Sequence, residues 1–341
     1  MLSHNWPRIS RFAQNAVVLI VILMTVFGSG SCSPGSYSGP IETLTIAIVP
    51  TEINALLYIA EARNSFASNG LQVILKEEYD SGAAAAIGML NGEADIASAA
   101  EFPMVRQIFN KKDIVNFGTI ARYENTYMLW RTDSGIKTVE GLKGKKIGVT
   151  LQTISAFYLG RTLDLHGMNI HQVTIVDVKA ADAEKALVSN EVDAVVTWEP
   201  WVNQINERMG TEVTTTAVQS SQYAYWNLVA TTDWINGHPD TIKRLIDSLA
   251  QAEDYVASHQ AEAKEIIGKR MNFDDAYLEM IWKRYQFSLS LDQSLITAME
   301  DEARWMIANG LTPETEVPDF LDYIYMDALE TVQPEAVNII R

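Results

Sequence analysis

The chain has 341 residues, 48% apolar and 20% charged, with a formal net charge of −17, a globular composition long enough for one large or two medium domains. Nucleic-acid binding rests on clustered Lys and Arg, and an acidic chain without a basic run excludes a phosphate backbone as partner. Cys32 is the only cysteine, which excludes an intrachain disulfide and any cysteine cluster for zinc or iron.

At the N-terminus Arg8 and Arg11 precede the apolar run AVVLIVILMTVF at 16–27, then small residues and Cys32. This is the layout of a signal peptide over 1–31, and the run is shorter than the about 20 residues of a spanning helix. A lone cysteine after small residues at the end of such a run resembles a bacterial lipobox, with Ser29 standing where Leu, Val or Ile is usual, and it marks Cys32 for lipidation. Cleavage removes both arginines and no acid, so the mature chain is more acidic still. Residues 33–40, SPGSYSGP, are a flexible tether, and 32–43 is therefore expected to be a lipid-anchored linker.

From Leu44 short apolar runs alternate with helical ones. LTIAIVP is followed by a helix over 54–68, the strand LQVILKEEY, a helix over 83–91, and the strand DIASAA ending before Glu101. About a hundred residues later come KKIGVT, a helix over 154–166, VTIVDVKA, a helix over 182–189, and DAVVTW ending before Glu199. Strands alternating with helices of this length imply βαβ units and a mostly parallel sheet. The segments NGEADIASAAEFP and SNEVDAVVTWEPW align Glu93 with Glu191, Asp95 with Asp193, and Glu101 with Glu199 at one constant offset. The turns at Gly70 and Gly167 stand where helix C-cap glycines belong.

The repetition predicts two lobes of one design, 44–125 with 228–341 and 126–227, joined by crossings at 122–132 and 222–231. The remaining helices, over 239–260 and 273–341, are expected to pack on the first lobe. Ligands of open parallel sheets bind beyond the carboxyl ends of the strands, so two facing lobes would wall a cleft. Glu101 and Glu199 follow matched strands and could bind an amine or hydroxyls, or else cap the helices that follow them. Paired acids also serve glycoside hydrolysis, which nothing else in the chain supports. The helix start TLQTIS offers Thr153 and Ser155 to an anion, with ordinary capping as the alternative, and PTEIN offers Thr51 in the same way. Trp198, Tyr123, Trp226 and the adjoining Asn227 are candidates for closing over a solute.

No GxSxG, P-loop or HExxH is present, no GxGxxG follows a strand, and the five histidines lack metal-ligand spacing. No cofactor and no metal are expected. The stretches TIAIVP, GEADIASAAEFP, LKGKKIGVT with its Thr/Ser helix start, DAVVTWEPW and NLVAT together resemble the nitrate, sulfonate and taurine substrate-binding proteins of ABC importers, a group with thiamin-precursor-binding relatives.

The resemblance implies the two-lobed type II periplasmic binding fold, closing as a monomer around a small solute and delivering it to a membrane permease and its ATPase from an extracytoplasmic, lipid-anchored position. It places Thr51, Glu101, Thr153, Ser155, Trp198 and Glu199 in or near the cleft, with Gln152 where the group often has Gly. An enzyme of thiamin-pyrimidine-synthase type would need a cysteine-rich motif this chain lacks, and a sensing domain for a membrane kinase is the other alternative.

Overall fold

The structure, a computed structural model, describes residues 37–220 and 222–340. The expected signal peptide and Cys32 lie outside the described residues.

In chain order, β1 (Glu42–Ala47), α1 (Ala55–Ala62), β2 (Leu71–Lys76), α2 (Gly82–Leu90), β3 (Ile96–Ala100), α3 (Glu101–Phe109) and β4 (Val115–Tyr123) form the first repeat. After β5 (Thr126–Arg131), the order returns as β6 (Lys146–Val149), α4 (Ile154–Leu165), β7 (Thr174–Asp177), α5 (Ala183–Val188), β8 (Ala194–Trp198), α6 (Trp201–Met209) and β9 (Val213–Ala217). Then come β10 (Ala224–Ala230), α7 (Pro239–Ser258), β11 (Tyr285–Gln286) and α8 (Gln293–Ala308). The first sheet runs β11-β4-β10-β3-β1-β2 and the second β7-β6-β8-β5-β9. Setting the edge strand β11 aside, the two orders are the same, so the repetition in sequence is a repetition in topology.

Each sheet is mixed. The parallel pairs are β1 with β2 and β3, and β6 with β7 and β8. The antiparallel member in the middle of each sheet, β10 or β5, is the strand that has just crossed from the other lobe. A strand arriving from the cleft side runs against those that end there, so each sheet is mostly parallel, as expected, with one antiparallel strand in its middle. All of β10 pairs within the first sheet, so 224–227 lies in the first lobe and not, as expected from the sequence, in the second. The crossings themselves are 124–125 outward and, of the described residues, 218–220 and 222–223 on return.

Burial explains the central strands. The small residues of IASAA are buried throughout and let helices approach both faces, whereas β2 alternates toward solvent as an edge should. Asp95 and Asp193 do the same work in each lobe. Asp95 Oδ2 accepts from the Thr45 N–H and hydroxyl, both at 2.7 Å, and Asp193 Oδ2 accepts from Lys146 N at 2.8 Å. Each acid ties the start of its third strand to the first.

Gln219, 2% exposed, joins the crossings. Its Oε1 accepts from Asn125 N and Thr126 N at 2.7 and 2.8 Å, and its Nε2 donates to the carbonyls of Tyr123 and Gln222, each at 3.0 Å. The C-terminal helices do not confine themselves to the first lobe. Helix α8 packs on α3 and on α4 of the second lobe, where Gly160 is required because a Cβ there would lie 2.0 Å from the Trp305 ring. Asp301 pairs with Arg161 across the same contact, and Asp80 meets Lys179 at 2.7 Å between the lobes.

Candidate functional site

Between the lobes lies a recess of about 450 Å³, counted with the solvent at its open mouth. The end of β1 contributes Thr51 and Ile53, the start of α2 contributes Ser81 and Gly82, and α3 with its preceding residue contributes Ala100 and Pro103. Tyr123 comes from the end of β4, Asn125 from the outward crossing, Thr126 from the start of β5, Thr153 and Ile154 from the start of α4, Trp198 from the end of β8, and Trp226 from β10. Every lining side chain is uncharged.

The aromatic wall is held in place from behind. Trp226 donates from Nε1 to Asn54 Oδ1 at 2.9 Å, and its ring lies so close to α2 that a Cβ on Gly82 would sit 2.6 Å from it. Tyr123 meets Trp226 edge-on at 6.3 Å and stacks on Tyr285 at 6.1 Å. The polar wall is also set by a relay. Asn125 Nδ2 donates to the Tyr285 hydroxyl at 2.8 Å, which donates to Glu52 Oε1 at 2.7 Å.

Two helix starts face the cavity. Ser81 caps α2 by accepting from Ala84 N at 3.2 Å. At α4 the capping residue Thr153 has extended backbone and makes no side-chain cap; its hydroxyl donates instead to the Thr150 carbonyl at 2.8 Å. The first-turn amides of α4 therefore have no side-chain acceptor, which is the condition for receiving an anion at a positive helix end. Gln152 just before it has φ of 67°, a left-handed position that glycine takes without strain, which accounts for the glycine usual in the resembling group.

Of the residues expected from sequence, Thr51, Tyr123, Thr153, Trp198 and Trp226 line the cavity and Glu101, Ser155, Glu199 and Asn227 do not. Glu101 is fully buried and accepts from Tyr225 N at 2.9 Å. Glu199 caps its own helix, accepting from Asn203 N at 2.9 Å. Ser155 is fully buried within the first turn of α4. Asn227 fills a bulge of β10, accepting from Asn116 Nδ2 at 2.9 Å and the Thr119 hydroxyl at 2.7 Å.

Nor do the two matched acids face one another. Glu52 of the first lobe feels the Glu199 charge: its pKa is pushed up to about 7 by burial, against the Tyr285 hydrogen bond and with a further push from Glu199. Burial likewise lifts Glu199 to about 7, with the Asn203 N–H and the Arg284 charge opposing it. Glu101 is raised by burial, and Glu302 on α8 is raised by burial and then by the Glu101 charge. Sequence reasoning missed Ser81, Gly82, Asn125 and Thr126. The signal for the first two was DSGAAAA, a capping serine ahead of a helical run; the crossing pair carried none.

Among the described residues no three His, Cys, Asp or Glu side chains stand together as a metal site. The arrangement can hold a small solute, with amides and hydroxyls toward an acceptor-rich end and aromatic rings on the remainder.

Residues 53–263 match the family described as NMT1/THI5 like. A Bacillus subtilis (strain 168) protein named as aliphatic sulfonates-binding is 22% identical over 316 residues, covering 90% of this chain and 95% of its own. The taurine-binding periplasmic protein of Escherichia coli (strain K12) is 25% identical over 211 residues, 61% of this chain and 65% of that one. Among solved structures, the alkanesulfonate-binding protein SsuA of Xanthomonas axonopodis pv. citri, bound to MOPS, superposes with a TM-score of 0.74 at 17% identity, over 85% of this chain and all of that one. The fold is that of periplasmic binding proteins.

Proposed function

The chain belongs to the NMT1/THI5-like family, and from that premise we propose that it is the solute-binding component of an ABC importer for organosulfonates. In this reading residues 1–31 export it, Cys32 carries the lipid anchor at the outer face of the membrane, and the monomer delivers its solute to a permease and its ATPase. The lobes enclose the solute between them, with the donors divided between the two walls.

One observation carries the choice of solute. The cavity combines two helix starts with the hydroxyls of Thr51, Ser81 and Thr126 and has no charged side chain in its lining. A sulfonate spreads one charge over three oxygens and can be held by neutral N–H and O–H donors. Its organic part then lies against Trp226, Tyr123 and Trp198. The acids are outside the lining, so the amine of taurine gains nothing from them. Isothermal titration with methanesulfonate, butanesulfonate, taurine, nitrate and hydroxymethylpyrimidine tests this. Butanesulfonate is expected to bind more tightly than taurine; binding of nitrate or the pyrimidine alone would overturn the assignment.

A further inference from the structure

A second recess lies beside the central cavity and shares none of its lining residues. It encloses about 1280 Å³, open to solvent, between Phe102, Arg106 and Trp305 of the first lobe and Leu151, Leu159 and Ile175 of the second. Its wall is largely apolar, and two lining leucines, Leu151 and Leu311, are 43% and 41% exposed. Large apolar side chains left in solvent around a groove mark a place where something apolar sits.

Among the described residues Arg63 and Arg284 form no ion pair but each lies over a tyrosine ring, and the cation of this groove differs from both. Arg122, Arg161, Arg244 and Arg270 each meet a carboxylate. Arg106, half-buried, meets none among the described residues, and its Nε is buried without a hydrogen-bond partner. Burial pushes its guanidinium down, with no neighbouring charge to offset it. A guanidinium in apolar surroundings is compensated best by an anion that forms charge-assisted hydrogen bonds with it.

We propose that this groove binds a free, unbranched alkyl chain with one anionic head, the head on Arg106 and the chain between Leu151 and Leu311. The chain buries the apolar walls and the head supplies the missing partner. Both lobes line the groove, so occupancy favours the arrangement in which the lobes touch, and through it the central site.

The test is titration of octanoate, decanoate, dodecanoate, decanesulfonate and decanol into the full chain, with circular dichroism confirming the fold of each variant. The carboxylates are expected to bind one per chain, with affinity rising about fourfold per added methylene, decanesulfonate to bind here in addition to any occupancy of the central cavity, and decanol to bind more weakly than decanoate. Arg106→Gln is expected to weaken both anion classes at least tenfold and leave decanol unchanged. If that variant does not fold, the exposed Leu311→Asp carries the test and is expected to weaken every ligand. Absence of binding at 1 mM decanoate, anion affinity indifferent to these substitutions, or displacement of decanoate by butanesulfonate would overturn the proposal. None of the substitution tests requires the central cavity to bind a sulfonate.

Discussion

Replacing Gln219 by Ala removes the only side chain that bonds both crossings among the described residues. Two buried amides, those of Asn125 and Thr126, lose their acceptor, and the carbonyls of Tyr123 and Gln222 lose a donor. A buried polar group left unpaired costs about 1–3 kcal/mol. The carbonyls tolerate the loss better than the amides, and water entering the space left by the shorter side chain offsets part of it. The expected net loss is about 2–4 kcal/mol. Urea unfolding followed by circular dichroism reads this directly. Gln219→Glu is the control, because at acid pH its protonated carboxyl keeps the acceptor for both amides and one of the two donors, and it should retain more stability there than the alanine variant. If Gln219→Ala unfolds within about 0.5 kcal/mol of the parent, the crossings are not held by this side chain and the hydrogen-bond account of the hinge fails.

Three further outcomes follow from the geometry. Glu52 and Glu199 have folded-state pKa values raised to about 7, so the folded chain holds protons the unfolded chain releases; the stability they contribute is full below about pH 4.5 and is lost as pH rises through 7, by at most about 3 kcal/mol for each group. Urea midpoints at pH 5.5 and 8 should show the fall, and Glu199→Gln, which still accepts from Asn203 N, should lessen it by the Glu199 share while that of Glu52 remains. Gly82→Ala forces the Trp226 ring away from α2, costing about 1–3 kcal/mol of stability and at least tenfold in solute affinity, measured by unfolding, titration and tryptophan fluorescence. Asp95→Ala should destabilise more than Asp193→Ala, since Asp95 Oδ2 accepts from two groups of Thr45 and Asp193 Oδ2 from the Lys146 amide; equal urea midpoints would refute the comparison.

The repeat was legible because its marks are local. Asp95 and Asp193 stand just before matched strands, and the structure gives both a bond from a backbone amide of the neighbouring strand. Gly70 and Gly167 have φ of 71° and 68°, as helix-ending glycines do. What the sequence concealed depends on distant partners. Glu101 turns away from the cavity because the amide of Tyr225, on the return strand, claims its carboxylate. The span of α8 onto the second lobe depends on Gly160 meeting Trp305. Asn125 enters the cavity through Tyr285 and Glu52, residues that no pattern around position 125 announces.

The placement of β10 bears on the order in which the chain can fold. It sits between β3 and β4, yet it is made after the whole of the second sheet. Until residue 230 is available, β3 and β4 present unpaired edges, and open edges of apolar strands invite pairing with other chains. The second sheet needs nothing beyond residue 217. A growing chain can therefore complete its later sheet first, and a truncation between 217 and 224 should yield a formed second sheet beside an aggregation-prone first one.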